Sequence, residues 1–297
     1  LYGGINYSLM VEDDNGCSFA DSINLTEPQA IVYSTTVSNY NGFGVSCNGD
    51  NDGTITVSAS GGTGTLTYSL DGTNFQAATL FSGLQSGPQI VYFRDGNGCT
   101  LDTNIAITEP GLFSIATFST DYNGADISCF GSSNGEIFVN ESNGVNQVLY
   151  EFNNSGVLTT DASWDSLSSG AYNIYAEDLN GCSDSQTVII IDPPLLNVNL
   201  SILSNEYCNN ANGEIEAIAI GGTGAINYSW SNGQNNSIAS GLNAGNYQCI
   251  VADVNGCNIS VSANIIDDIP YQIISTSTPS CYGANQGTAS VTLVANG

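Results

Sequence analysis

The sequence predicts an all-β protein made of tandem immunoglobulin-like (Greek-key) β-sandwich repeats arranged as an extended rod. Three observations predict it. A turn of the form D-x-N-G-C recurs as DDNGC at 13–17, DGNGC at 95–99, DLNGC at 178–182 and DVNGC at 253–257. A second cysteine motif runs out of phase with the first: CNGDNDGTITV from 47, CFGSSNGEIFV from 129, CNNANGEIEAI from 208 and CYGANQGTASV from 281. Between these motifs lie short alternating segments rich in β-branched residues, and no stretch sustains helical spacing.

Prolines close each unit, in TEP at 26–28, TEP at 108–110, DPP at 192–194 and DIP at 268–270. The expected organisation is the C-terminal part of one repeat at 1–28, whole repeats at 29–110, 111–193 and 194–269, and the N-terminal part of a further repeat at 270–297. A whole repeat is roughly 80 residues, near the smallest size that keeps a core of its own. The chain opens inside a strand-like run, GGINYSLMVED, with no signal peptide, so it reads as a piece of a longer protein.

The elements of 29–110 follow in order. AIVYSTTV is the first strand, strand A, because β-branched residues fit a pleated surface. CNGDNDG turns the chain. TITVSAS is strand B, with Ile55, Val57 and Ala59 on one face. GGTG turns into strand C, TLTYSL, where Leu66, Tyr68 and Leu70 share a side. Asp71 and Gly72 give a hairpin signal because both tolerate positive φ. A short C′ strand is expected near Phe75, then strand E at TLFSGL. QIVYFRD is strand F, and GNG turns into strand G, CTLDTNIAIT. In D-x-N-G-C the Asn-Gly pair supplies the left-handed backbone that a tight F–G hairpin needs. Leu242, Gly245 and Tyr247 read as a corner where a tyrosine locks the E–F connection.

Composition narrows the function. Hydrophobic residues are 41% of the 297, enough for cores, while charged residues are 10% and the net charge is -27. Arg94 is the single cation and there is no histidine. A nucleic-acid backbone would meet repulsion with nothing to neutralise it. An anionic membrane surface would as well, and no apolar run reaches the roughly 18 residues of a membrane helix. Without lysine, isopeptide crosslinks are closed. Nine cysteines without a CxxC pair or a histidine argue for disulfides rather than zinc. Carboxylate pairs such as Asp13 with Asp14 and Asp267 with Asp268 fall in turns and linkers, so they read as solvated acids rather than glycosidase machinery. No enzyme activity and no cofactor is expected.

Together, C-x-G-x-x-x-G-x-I-x-V, GGTG-x-x-x-YS, L-x-x-G-x-Y and D-x-N-G-C resemble the SprB-type repeat of surface adhesins from gliding Bacteroidota. The resemblance implies export by the type IX system and display as a cell-surface filament outside the outer membrane. It also implies a role in gliding motility and attachment. Implied partners are neighbouring repeats of the same chain, the motility and secretion machinery acting through other parts of the parent, and surface polysaccharide. The 111–193 repeat departs from the pattern: it has ESNGVNQVLYEF in place of GGTG and YS, so its B–C turn must differ. The alternative reading is a carbohydrate-binding accessory array of a secreted enzyme.

Eight cysteines, Cys17, Cys47, Cys99, Cys129, Cys182, Cys208, Cys257 and Cys281, are disulfide candidates in three registers. Neighbour pairing gives 17–47, 99–129, 182–208 and 257–281. Within-repeat pairing gives Cys47–Cys99, Cys129–Cys182 and Cys208–Cys257. Skip pairing gives Cys47–Cys182 and Cys129–Cys257. A strand of eight residues separates the A–B cysteine from the F–G cysteine of its own repeat by about 25 Å, while disulfide Cα atoms need about 7 Å or less. That favours skip pairing, against the tendency of disulfides to stay within one domain. Alternation buries Cys249 with Tyr247 and Val251, so it is expected to be a free thiol.

Three further candidates are local. CNGDNDG offers Asp50 and Asp52, with Asn48 and Asn51, as a weak calcium site, although the equivalent turns carry no Asp. Ser22 and Ser166 sit in DSI and DSL, which resemble a short O-glycosylation motif. Tyr68, Tyr228 and Trp230 fall on alternating strand positions and read as core rather than a sugar platform.

Overall fold

The computed structural model describes residues 2–268 and 271–295. The expected boundary at 269/270, with Pro270, lies outside the described residues. The immunoglobulin-like all-β fold expected from the sequence is the fold of the protein, and every regular element among the described residues is a strand. By internal contacts the chain falls into two compact units. One holds residues up to Ala116 with Asn140–Thr160 and Ile174–Gln186; the other holds Thr117–Val139, Asp161–Asn173 and the residues from Thr187 onward. The 111–193 segment contributes to both.

In the first unit, β1 (Asn6–Glu12) and β2 (Ser18–Asn24) pair antiparallel around the DDNGC turn. The 29–110 repeat follows with β3 (Val32–Val37), β4 (Gly53–Ser60), β5 (Thr67–Ser69), β6 (Leu80–Leu84), β7 (Gly87–Arg94) and β8 (Thr100–Ile107). They form two sheets, β3-β4-β6 and β5-β7-β8, which are the A-B-E and C-F-G sheets of a Greek-key sandwich. Strand alternation sends Ile55 and Val57 from one sheet and Tyr68, Val91, Phe93 and Ile107 from the other into a single core. Phe93 is fully buried and meets Tyr68 edge-on at 5.7 Å between centroids, the arrangement that the aromatic quadrupole favours.

Two local expectations are corrected here. No C′ strand forms near Phe75; Tyr68 and Gln76 make an isolated bridge instead. The cause is Asp71, whose carboxylate accepts the backbone N–H groups of Thr73 and Asn74 at 2.8 and 2.7 Å and curls the segment into a turn. Only Gly72 of the Asp-Gly pair takes a positive φ. The Phe75 ring is left to receive the Arg94 guanidinium, 3.8 Å from its centroid.

The 111–193 segment contains β9 (Ser114–Ser119), β10 (Gly135–Ser142), β11 (Val148–Phe152), β12 (Leu158–Thr159), β13 (Ser163–Leu167), β14 (Gly170–Asp178) and β15 (Ser183–Ile190). Its sheets are β13-β10-β9 and β12-β11-β14-β15. In the first unit Phe113, Ile115, Tyr150 and Ile174 are buried; in the second Ile127, Ile137, Leu167 and Ile190 are.

The second unit carries the 194–268 repeat, with β16 (Asn197–Ser204), β17 (Gly213–Ile220), β18 (Asn227–Trp230), β19 (Ile238–Leu242), β20 (Gly245–Ala252) and β21 (Asn258–Ile265). The sheets β16-β17-β19 and β18-β20-β21 repeat the same topology. Ile215, Trp230, Cys249, Val251 and Ile265 share its core. The tyrosine corner is present: Tyr247 donates its hydroxyl to Asn243 O at 3.0 Å, as Tyr172 does to Ser168 O at 2.9 Å. A last hairpin pairs β22 (Tyr271–Thr278) with β23 (Thr288–Ala295).

Each E strand carries a bulge where its register against strand B shifts. The bulge needs a left-handed residue, which is Gly83 (φ 75°) and Gly241 (φ 70°) in two repeats and Ser166 (φ 58°) in the third.

Candidate functional site: the disulfide-bonded turns

The D-x-N-G-C turn is built on its aspartate. Asp95 N–H donates to Cys99 O at 3.0 Å and Gly98 N–H donates to Asp95 O at 3.1 Å, and the same pair of bonds closes the turns at 178–182 and 253–257. Only the glycine is left-handed, with φ of 86° at Gly98 and 87° at Gly181 and Gly256. This is a three-residue hairpin loop with a glycine bulge. The expectation that Asn and Gly together supply the backbone conformation is therefore corrected: the asparagine has ordinary backbone geometry, and its contribution comes from its side chain.

In the turns at 95–99, 178–182 and 253–257 the aspartate bonds with both oxygens. Oδ1 of Asp95 accepts Asn97 N–H at 3.0 Å and Cys99 N–H at 2.8 Å, fixing its own turn. Oδ2 accepts Thr63 N–H at 2.8 Å, fixing the B–C turn. Asp253 repeats this with Asn255, Cys257 and Thr223. Asp178 repeats it with Asn180, Cys182 and Val145. The B–C turn of the 111–193 segment does differ in sequence, with left-handed Asn143 and Asn146, yet it presents the same N–H to the same carboxylate. The N–H donors of Thr63 and Cys99 hold the Asp95 carboxyl below the usual carboxylate range, outweighing the opposing effect of burial.

The facing partner is the A–B turn of the preceding repeat. Cys47 bonds Cys182 with a Cα–Cα distance of 5.5 Å, and Cys129 bonds Cys257 with the same Cα–Cα distance, 5.5 Å. Asparagine side chains clamp each bond from beside it. Asn180 Nδ2 donates to Ser46 O at 3.1 Å and Tyr40 O at 3.3 Å, while its Oδ1 accepts from Asn41 Nδ2 at 2.5 Å. Asn255 Nδ2 donates to Ser128 O at 3.2 Å and Tyr122 O at 3.1 Å, while its Oδ1 accepts from Asn123 Nδ2 at 2.6 Å. The first joint lies within the first unit and the second within the second.

In the 29–110 and 111–193 repeats the acid before the closing proline holds the A–B turn of its own repeat. Glu109 Oε2 accepts Gly49 N–H at 2.9 Å and Asp192 Oδ1 accepts Gly131 N–H at 2.9 Å. The Ser169 hydroxyl and the Gly131 N–H together hold the Asp192 carboxyl below its ordinary range.

The remaining sequence candidates separate cleanly. The within-repeat and neighbour pairs are not formed; Cys17, Cys99, Cys208 and Cys281 are exposed thiols and Cys249 is a buried one. Burial pushes the Cys249 thiol up in pKa. Asp50 Oδ2 accepts from Ser46 Oγ at 2.8 Å and Asp52 Oδ1 accepts Ser46 N–H at 3.1 Å, so both brace the Cys47 turn. Among the described residues no group of three or more His, Cys, Asp or Glu could hold a metal ion. Asp13 accepts the N–H groups of Asn15 and Cys17, as its repeat equivalents do. Asp267 forms a parallel bridge with the buried Glu206. Ser22 is exposed on β2, and Ser166 is exposed at the strand-E bulge. Tyr68 and Trp230 are buried and Tyr228 is half-buried.

The Tyr-Asn-Gly loop at 40–42, repeated at 122–124, escaped the sequence reading, although both copies stand seven residues ahead of the joint cysteine. It recurs before two of the four A–B cysteines, so it drops out of any four-fold repeat pattern.

Fold and joints together define a class: an all-β tandem-repeat chain whose consecutive repeats are tied turn to turn by disulfides. The sequence model of the SprB repeat matches residues 45–75 and 200–235, each spanning an A–B cysteine and the strands after it, in agreement with the resemblance drawn from the motifs. No curated protein matches the chain in sequence. Among solved structures, similarity extends to immunoglobulin domains 1–5 of Sidekick-1 (12% identity, TM-score 0.37, 89% of this chain and 66% of that one). The S-layer protein rSbsC (31–844) also matches (12% identity, TM-score 0.31, 100% of this chain and 54% of that one).

Proposed function

We propose that this chain is a tension-bearing, non-catalytic segment of a very large exported adhesin, displayed outside the outer membrane and used in gliding motility and surface attachment. The observation that carries the reading is the interleaving of the two disulfides. Cys129 lies inside the loop closed by Cys47–Cys182, and Cys182 lies inside the loop closed by Cys129–Cys257. Three covalent routes shorter than the chain itself therefore join Cys47 to Cys257. One crosses to Cys182 and follows the chain, a second follows the chain to Cys129 and crosses to Cys257, and the shortest crosses to Cys182, runs back to Cys129 and crosses to Cys257. The first two share no stretch of chain, so either continues the load if the other is cut. The acidic surface fits the same role, since like charge keeps crowded copies of a repetitive protein apart. Neighbouring repeats are the direct partners, and the secretion and motility machinery acts through other parts of the parent.

Single-molecule extension tests the reading. With both bonds formed, unfolding between Cys47 and Cys257 should release no more than about 53 residues, the stretch from Cys129 to Cys182, roughly 190 Å of contour. After reduction the same segment should release about 210 residues, roughly 730 Å. Equal lengths in the two states would overturn it. Antibody against the segment should label the surface of intact parent cells; label confined to permeabilised cells would overturn the assignment of place.

A further inference from the structure

We propose that Cys99 and the cavity beside it form a docking socket for the cysteine-bearing A–B turn of a further repeat of this kind, closed by a disulfide. The proposal rests on the tension-bearing reading and extends it to a joint that these 297 residues do not complete.

Three observations carry it. First, the turn at 95–99 has the hydrogen bonds of its two engaged counterparts. Asp95 Oδ1 reaches the N–H groups of Asn97 and Cys99 at 3.0 and 2.8 Å; Asp178 reaches those of Asn180 and Cys182 at 2.9 and 3.0 Å. The equivalent cysteines, Cys182 and Cys257, are both bonded to an A–B cysteine, whereas Cys99 is an exposed thiol. Second, a cavity stands at the same place in all three repeats. Beside Cys182 it is about 270 Å3 and beside Cys257 about 300 Å3, and residues of the incoming turn, Cys47 with Asn48 or Cys129 with Phe130, form part of the wall. Beside Cys99 it is about 450 Å3, walled by Pro28, Ile31, Asp95 and Leu101 with no incoming turn. Third, Asn97 is exposed and its amide has no partner among the described residues, where Asn180 and Asn255 each donate to two carbonyl oxygens of the incoming turn. The occupant must thus bring a thiol and exposed backbone carbonyls in one loop, as the Tyr40–Cys47 segment does.

Closure needs an oxidant, and a low-molecular-weight disulfide such as oxidised glutathione supplies it. The Cys99 thiolate attacks that disulfide and releases one reduced glutathione. The incoming cysteine thiolate then attacks the mixed disulfide and releases the second, so two thiols become one disulfide at the expense of one oxidised glutathione.

The test extends the chain by placing a copy of residues 29–83 ahead of Leu1, which gives β1 and β2 the remaining strands of a repeat and adds one A–B cysteine. After refolding in a glutathione buffer, peptide mapping should find the added cysteine bonded to Cys99, with Cys208 and Cys281 still open to alkylation. Asn97→Ala should speed reduction of the new bond about thirtyfold, equivalent to losing two ordinary hydrogen bonds. A bond from the added cysteine to Cys17, or a Cys99 that still alkylates, would overturn the socket. As a second measurement that needs no extension to fold, a Ser38–Asp52 peptide carried as its glutathione mixed disulfide should transfer to Cys99 of the intact chain at least tenfold faster than to Cys208. Equal rates would overturn it too. If Cys99 stays free while the Cys47–Cys182 and Cys129–Cys257 bonds still shorten the extension, the socket fails and the tension-bearing reading survives.

Discussion

The side-chain amide of Asn180 donates to the carbonyl oxygen of Ser46 across 3.1 Å, tying the F–G turn of one repeat to the A–B turn of the one before it. Asn255 and Ser128 repeat the contact at 3.2 Å. Because Asn180 has ordinary backbone geometry, a substitution there tests the clamp without disturbing the hairpin. In Asn180→Asp the side chain keeps its size but loses both donors and turns a charge toward two carbonyl oxygens. The expected outcome is a Cys47–Cys182 bond reduced ten- to a hundredfold faster by dithiothreitol, with Cys129–Cys257 unchanged. Each lost hydrogen bond contributes about 1 kcal/mol, and repulsion adds to it. Equal reduction rates in mutant and parent would show that the clamp does not protect the bond.

The bond itself closes a long loop. With a sequence separation of 135 for Cys47–Cys182, the chain-entropy estimate gives about 5 kcal/mol of stabilisation through the unfolded state. The double substitution Cys47→Ser with Cys182→Ser should leave the far-ultraviolet circular dichroism unchanged, since no core strand is touched. The urea midpoint should fall, by a loss of up to about 5 kcal/mol and less where the repeats unfold one at a time. An unchanged midpoint would assign the bond no role in stability.

Asp95 gives an acid limb to stability. Its folded-state pKa is depressed by the N–H groups of Thr63 and Cys99. A depressed carboxyl contributes stability that is fully present above its unfolded value, about 3.9, and is lost as pH falls through the folded value. The 29–110 repeat should therefore hold its thermal midpoint from neutral pH to about 4 and lose it below. Asp95→Asn should lower the midpoint at pH 7, because an amide turns a donor toward an N–H, and should flatten the acid limb. A variant with the same acid limb as the parent would assign the titration to other carboxylates, Asp71 foremost, since four hydrogen bonds hold it low as well.

The parts of this structure that obey a period were legible. Ile55 and Val57 announce a buried face because strand side chains alternate, and both are buried in the structure. The parts that depend on which ends of the repeats meet were legible only in part. Strand length sets the two cysteines of one repeat too far apart to pair and so favours skip pairing, but spacing along a chain does not contain the distance between turns of different repeats. Asn180 hid for a different reason: Asn-Gly is a turn signal everywhere, so a side chain reaching another repeat carries the same letters as one that only turns the chain. Ser166 hid behind its neighbours, since DSL reads as a modification motif. Aligned with Gly83 and Gly241, it occupies a position where the backbone is left-handed.

That alignment makes Ser166→Gly a stabilising substitution. A side chain in the left-handed region costs about 1–2 kcal/mol, part of which glycine returns through its looser unfolded state. The expected net gain is about 0.5–1 kcal/mol, read as a rise in the urea midpoint. The same change at Ser22, whose strand is regular, should give no gain. If both serines respond alike, the bulge is not the cause.

Cys249 turns the 194–268 repeat into its own reporter of unfolding. Its side chain is fully buried beside Val251 and Ile265, and burial raises its thiol pKa. Under native conditions at pH 8, iodoacetamide should modify Cys17, Cys99, Cys208 and Cys281 within minutes and leave Cys249 untouched, because the reactive species is an accessible thiolate. Labelling of Cys249 should then rise with urea along the unfolding curve of its repeat, since the open population governs access when reclosing is fast. A Cys249 that alkylates with the exposed thiols in the absence of urea would contradict the packing of β20 against the core.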